Sequence, residues 1–167
     1  MDAHLEAYRS LDNERKHVTA FWATVIVRAN ELAGQDPFIG QQREYLLDRA
    51  TWAVTEITPA ATTKYFRQRY WSFKALNWAK SPSATKSSAG AALRHEHVIE
   101  RKALKFDLAR CFTVADATDV LDRAIACVVT KEESHDLDRA AGVGWSRYTS
   151  LRIEVFDRHL RALHPLR

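Results

Sequence analysis

The sequence predicts a mostly α, α+β protein: an N-terminal bundle of three helices, then a small unit with a two- or three-stranded antiparallel sheet. Three observations point there. Before Lys80 the apolar residues recur at three- and four-residue steps, the period of a helix with one face in a core. Glycine and proline number only five and four in 167 residues, too few for the many tight turns of an all-β design. Runs that read as strands occur only after Lys80.

From Leu5 to about Ala33 the stripe passes through Leu5, Tyr8, Leu11, Val18, Phe21/Trp22, Val25, Ala29 and Leu32, and Gly34 with Asp36-Pro37 supplies a stop and a turn. A second helix is expected from about Gln41 to Ile57, with Tyr45, Leu46, Ala50, Ala53, Val54 and Ile57 inward. Thr58-Pro59 ends it and opens a third, since proline suits a first helical position. In that third helix, Ala60 to about Lys80, aromatic residues alternate with basic ones: Tyr65, Phe66, Tyr70, Trp71, Phe73 and Trp78 among Lys64, Arg67, Arg69, Lys74 and Lys80.

The small, polar stretch from Ser81 to Gly90 reads as a flexible loop or linker. The expected division is therefore a bundle over 1–80, a linker over 81–91 and an α+β unit over 92–167. Within the last, His95 to Ile99 forms a short strand, and Lys102 to Arg110 and Ala115 to Ala124 are helical. Ala126-Cys-Val-Val-Thr130 is the clearest strand, short, β-branched and bounded by charge. Thr130 with Glu133 three residues on has capping-box spacing, opening a helix from Lys131 to about Ala140 that stops before Gly142 and Gly144. Ile153 to Phe156 is a last strand candidate.

Composition narrows the function classes. An apolar fraction of 46% excludes a disordered chain. The first residues lack a basic stretch followed by an apolar run, so no secretory signal is expected, and Ala20 to Ala29, broken by Arg28, is too short to span a bilayer. Cys111 and Cys127 form no CxxC pair, which points to two reduced thiols in a cytoplasmic protein. The net charge of +4 is uneven: Ala60 to Arg110 carries eleven Lys/Arg against three Asp/Glu, a balance of +8, between mildly acidic flanks. Such a block suits an anionic polymer, nucleic acid first of all. Basic side chains between aromatics grip phosphates while rings stack on bases, which makes Lys64, Arg67, Arg69, Tyr70, Lys74, Arg94 and Lys102 the candidate contacts. The same block also reads as solvated helix faces around an aromatic core.

The stretch richest in chemistry is Arg94-His-Glu-His-Val-Ile-Glu-Arg-Lys102, followed about thirty residues later by Glu132, Glu133, His135 and Asp136. Imidazole works near neutral pH as a base or metal ligand, and a carboxylate beside it raises its basicity or shares a cation. The order strand with His, excursion, strand, capped helix with His resembles the HNH, or His-Me finger, nuclease family. Glu96-His97-Val98-Ile99 looks like that family's first strand. Glu100 or Arg101 falls where the family has Pro, and Thr130 lies nearest to its Asn. The resemblance implies that His97 activates water as general base, that Glu96 and His135 hold one divalent ion (Mg, Mn or Zn), and that Arg101 or Lys102 neutralises the phosphate. One geometric condition goes with it: on a regular strand His95 and His97 share a face and Glu96 takes the other.

The expected activity is nucleic-acid binding with metal-dependent phosphodiester hydrolysis. The alternative is a non-catalytic binding or inhibitor protein, of phage or mobile-element type, whose partner is a nucleic-acid-handling complex.

Overall fold

A computed structural model describes residues 3–56, 65–82 and 84–166, with residues 3–10 and Lys86 described by backbone alone. The elements are α1 (Ala3–Ala33), α2 (Pro37–Glu56), β1 (Tyr70–Ser72), α3 (Phe73–Ala79), α4 (Lys86–Ala92) and β2 (Leu93–His97). There follow α5 (Arg101–Leu108), α6 (Val114–Asp122), β3 (Ala126–Thr130), α7 (Lys131–Leu137), α8 (Trp145–Ser150), β4 (Val155–Asp157) and β5 (Ala162–Leu163). Among the described residues no helix is long and apolar enough to cross a membrane. The chain forms two compact units that interleave: Met1–Ile57 with Ile99–Ile125, and Thr58–Val98 with Ala126–Arg167.

The first unit is helical. Pro37 opens α2, and the Asp36 carboxylate accepts from the Phe38 amide at 2.8 Å, satisfying one of the bare N–H groups of a helix start. Ala23, Ile26 and Val27 of α1 meet Leu47, Ala50 and Val54 of α2, and Leu104, Leu108, Ala117 and Leu121 of α5 and α6 complete the core. The α2 face sits one residue away from the expected one: Leu47, Ala50, Thr51, Val54 and Thr55 are buried, and Tyr45 is exposed. Threonine is tolerated there because its hydroxyl bonds back along the helix, Thr51 to the Asp48 carbonyl and Thr55 to that of Thr51. Asn30 ties α1 to the end of α5, donating to the Leu108 and Cys111 carbonyls at 2.8 Å each.

The second unit is built on a five-stranded sheet of order β2-β3-β1-β4-β5, with β1 and β3 parallel and the other pairs antiparallel. This corrects the expectation of a two- or three-stranded antiparallel sheet: the protein is mixed α/β. The added strands come from places the helical pattern concealed. Tyr70–Ser72, expected inside the third helix, is the central strand β1, and its Ser72 hydroxyl caps α3 by accepting from the Ala75 amide. At three residues β1 is too short to display a period of two, and its aromatic neighbours mimic a helical stripe. The expected helical stretch 60–64 lies outside the described residues. The third and fourth helices of the first unit are supplied instead by later sequence, α5 and α6.

The serine- and threonine-rich stretch is also not a linker throughout. Thr85 and Ser88 form a capping box at the start of α4, so the polar residues that read as loop serve as helix start. The unit division accordingly does not fall at 81–91. Further on, the thiols of Cys111 and Cys127 are both free and buried. Trp145–Ser150 is a helix, entered from Gly142 and Gly144, both at positive φ, where a β-carbon on Gly142 would meet the Ser146 side chain.

Candidate functional site

β2 and β3 pair antiparallel from Leu93 opposite Thr130 to His97 opposite Ala126, and β3 runs straight into α7 through the Thr130–Glu133 capping box. The order of strands and capped helix is the expected one, but β2 begins and ends two residues before the expected His95–Ile99, and α7 ends at Leu137 rather than near Ala140. The side chains divide between the faces. Leu93, His95 and His97 are buried on the face of Trp71 and Val128, where Leu93 packs with Ala75 of α3 and Ala89 of α4, and the two imidazole centres stand 5.4 Å apart. Glu96 takes the other face, where Ser134 of α7 donates to it at 3.1 Å and Arg147 lies 3.7 Å away.

His135 is exposed on α7, its ring against Arg139. Arg101 belongs to the other unit. The structure therefore brings Glu96 to α7 and puts His97 on the opposite side of the sheet. The cause is the uninterrupted register of β2, in which neighbours point to opposite faces. Among the described residues no group of three or more His, Cys, Asp or Glu is arranged to hold a metal ion.

A different constellation occupies the Glu96 face, and the sequence reading did not assemble it. The parallel strands β1 and β3 end side by side, each on the cap of the helix that follows. Glu133, 4% exposed, joins them: its Oε2 accepts from the Ser72 hydroxyl at 2.5 Å, from the Thr130 amide at 2.9 Å and from the Thr130 hydroxyl at 3.1 Å. Arg147, 3% exposed, donates to the carbonyls of His97 at 2.8 Å and Val98 at 3.0 Å, locking the end of β2.

Cys127 and Tyr148 lie fully buried beside this network. Burial first, then the neighbouring Glu133 charge, pushes the Cys127 thiol well above its ordinary range; burial first, then the thiol itself, does the same to the Tyr148 phenol. Neither is poised to ionise near neutral pH, so the thiol is not a nucleophile here. With three donors on one carboxylate oxygen, Glu133 ties the ends of β1 and β3 together. The signals were present in part: the capping box marked Glu133, but nothing in the order of residues tells that Ser72 and Arg147 arrive there.

The basic block divides as well. Arg69 makes a bidentate bond to Asp157, with Nε 3.0 Å from both carboxylate oxygens and Nη2 2.8 Å from one, and its guanidinium lies over the Tyr70 ring. Tyr70 packs in turn on Trp145 and His164. Arg94 bonds the Gly90 and Leu93 carbonyls. These three serve the fold. Arg67 and Lys74 are exposed, as is Lys102 in the other unit, and Lys64 lies outside the described residues.

In the first unit, α2 and α5 border a cleft of about 650 Å³, lined by Arg43, Glu44, Asp48, Arg101, Lys102, Lys105, Phe106 and Ala109. Arg101 pairs with Asp48 at 2.8 Å and lies over Trp52, while Lys105 reaches Glu44 at 3.5 Å. Arg43, from outside the central block, was not among the expected contacts.

The fold and these sites define a mixed α/β protein with a charged network inside its sheet unit and a cationic cleft on its helical unit. No family model, no curated protein and no solved structure matches the chain.

Proposed function

We propose that the protein binds nucleic acid and acts by binding. The observation that carries this reading is the +8 balance of the Ala60–Arg110 block, together with the exposure of Arg67, Lys74 and Lys102. A protein that neutralises phosphates with such side chains gains affinity from released counterions, whatever the sequence bound. The separation of His97 from Glu96 across the sheet argues for binding over cleavage.

Hydrolysis is the second reading, favoured by the β2–β3–α7 order and by the Ser134–Glu96 bond at 3.1 Å. In it, Glu96 and His135 would hold a divalent ion. Inhibition of a nucleic-acid-handling complex through a protein partner is the third.

One experiment separates them: incubation of the protein with supercoiled DNA, single-stranded DNA and RNA, with Mg²⁺, Mn²⁺, Zn²⁺ or EDTA. The expected result is retardation of intact nucleic acid at low salt, with affinity falling by orders of magnitude between roughly 50 and 200 mM salt. Absence of retardation at micromolar protein ends the nucleic-acid reading and leaves a protein partner. Metal-dependent cleavage that disappears in folded Glu96→Gln and His135→Ala variants replaces it with the hydrolytic one.

A further inference from the structure

We propose that the α2–α5 cleft holds a single strand of nucleic acid, its phosphates on Arg43 and Lys102 and one base against Phe106. This rests on the nucleic-acid reading above and gives it a site.

The charges in the cleft do not cancel. Arg101 and Lys105 are matched by Asp48 and Glu44, at 2.8 and 3.5 Å. Arg43 and Lys102 have no such carboxylate among the described residues, so two cations remain in excess on facing helices. Arg43 adds an independent sign: its Nε is buried with no hydrogen-bond acceptor. A guanidinium N–H shut away from water without an acceptor is costly, and buried donors are nearly always satisfied. The side chain lines the cleft, so a shift that uncovers this N–H brings it to a phosphate oxygen, and the planar fork of arginine suits phosphate better than any other side chain.

Phe106 supplies the second half of the argument. The ring lines the same cleft, is 58% exposed, and carries the Arg110 guanidinium 3.5 Å from its centre. Aromatic platforms within a cationic rim are how sequence-tolerant single-strand binders hold an unstacked base. A duplex offers only phosphates to such a cleft, because its bases stay stacked on one another. The volume of about 650 Å³ accommodates a nucleotide-sized group.

The test is fluorescence anisotropy of the full chain with a labelled DNA or RNA strand of roughly twelve nucleotides at low salt. Arg43→Gln with Lys102→Gln should weaken binding at least about tenfold and lower the log–log salt slope by about 1.4, some 0.7 per lost contact. Phe106→Leu should weaken it at least about fivefold and leave the slope unchanged. Lys102→Arg should retain binding, and Lys131→Gln, an exposed lysine in the other unit and outside the basic block, should change it by less than about twofold. Circular dichroism checks that each variant is folded.

If the wild type binds and the Arg43/Lys102 variant binds equally well, the site is overturned and the nucleic-acid reading stands. If the wild type binds no strand, the underlying reading falls first. Competition by a duplex or by inorganic polyphosphate as strong as by the single strand removes the base from the proposal, and overturns it.

Discussion

The helical unit hides neutral groups, and the sheet unit hides charge. Among the described residues the buried polar side chains of the first are Thr19, Asn30, Thr51 and Thr55; those of the second include Glu133, Arg147 and Asp157. The lengths of the elements explain the contrast. Helices of 31 and 20 residues satisfy their own backbones and need only an apolar face to pack. A sheet whose central strand has three residues has few ladder bonds, and its strand ends are tied by side chains: Glu133 across β1 and β3, Arg147 at the end of β2. Buried charges are conditional supports. Paired, they fix one arrangement of the strands; with a partner removed, they leave an ion stranded out of water.

The largest effect is therefore expected at Arg147. Arg147→Met keeps an unbranched apolar stem, strips the His97 and Val98 carbonyls of the guanidinium, and removes the cation 3.7 Å from Glu96. We expect about 3–5 kcal/mol of destabilisation, read by urea unfolding, with amide exchange accelerated most in β2 and β3. A loss below about 1 kcal/mol would mean that the sheet unit does not depend on its buried charges, and the contrast between the units would fail.

The second test uses pH. Burial alone would raise Asp157, yet the bonds from Arg69 and from the Leu160 and His159 amides hold it below the ordinary carboxylate value. The folded carboxylate is thus the stronger acid. Its contribution, about 2 kcal/mol for hydrogen bonds to a charged group, is complete above the unfolded pKa near 3.9 and is lost as pH falls through the lower folded value. His164 precedes it. Burial lowers its pKa, so the folded state resists its protonation, and stability declines once pH drops below about 6.5. Acid unfolding should show an upper step removed by His164→Gln and a lower one removed by Asp157→Asn.

What the sequence disclosed follows the same line. α1 and α2 announce themselves through twenty or more residues of periodic burial, and β3 through four consecutive buried residues after Ala124. The Thr130–Glu133 box is local, three residues apart, and could be read directly. Tyr70–Ser72 could not, because its strand character comes from pairing with Cys127–Val128 and Val155–Asp157, far away in the chain. The same non-locality hid the Ser72–Glu133 bond. The alternation rule did anticipate that Glu96 and His97 part company, and the unbroken register of β2 keeps them apart.

The smallest expected effect sharpens the comparison from the other side. Arg101 is the helical unit's counterpart to Arg147, an arginine paired with a carboxylate, Asp48, at 2.8 Å and laid over the Trp52 ring at 4.7 Å. Its side chain is 37% exposed and that of Asp48 35%, against 4% for Arg147. Water screens the first pair and solvates either partner when the other is removed, so no ion is stranded. Arg101→Gln should then cost about 0.5–1 kcal/mol, the usual range for an exposed pair or an exposed cation–π contact. The cost should also shrink in roughly 1 M salt, where the screening length is about 3 Å, whereas that of Arg147→Met should persist. Equal costs for the two substitutions, or equal responses to salt, would show that burial is not what separates the units.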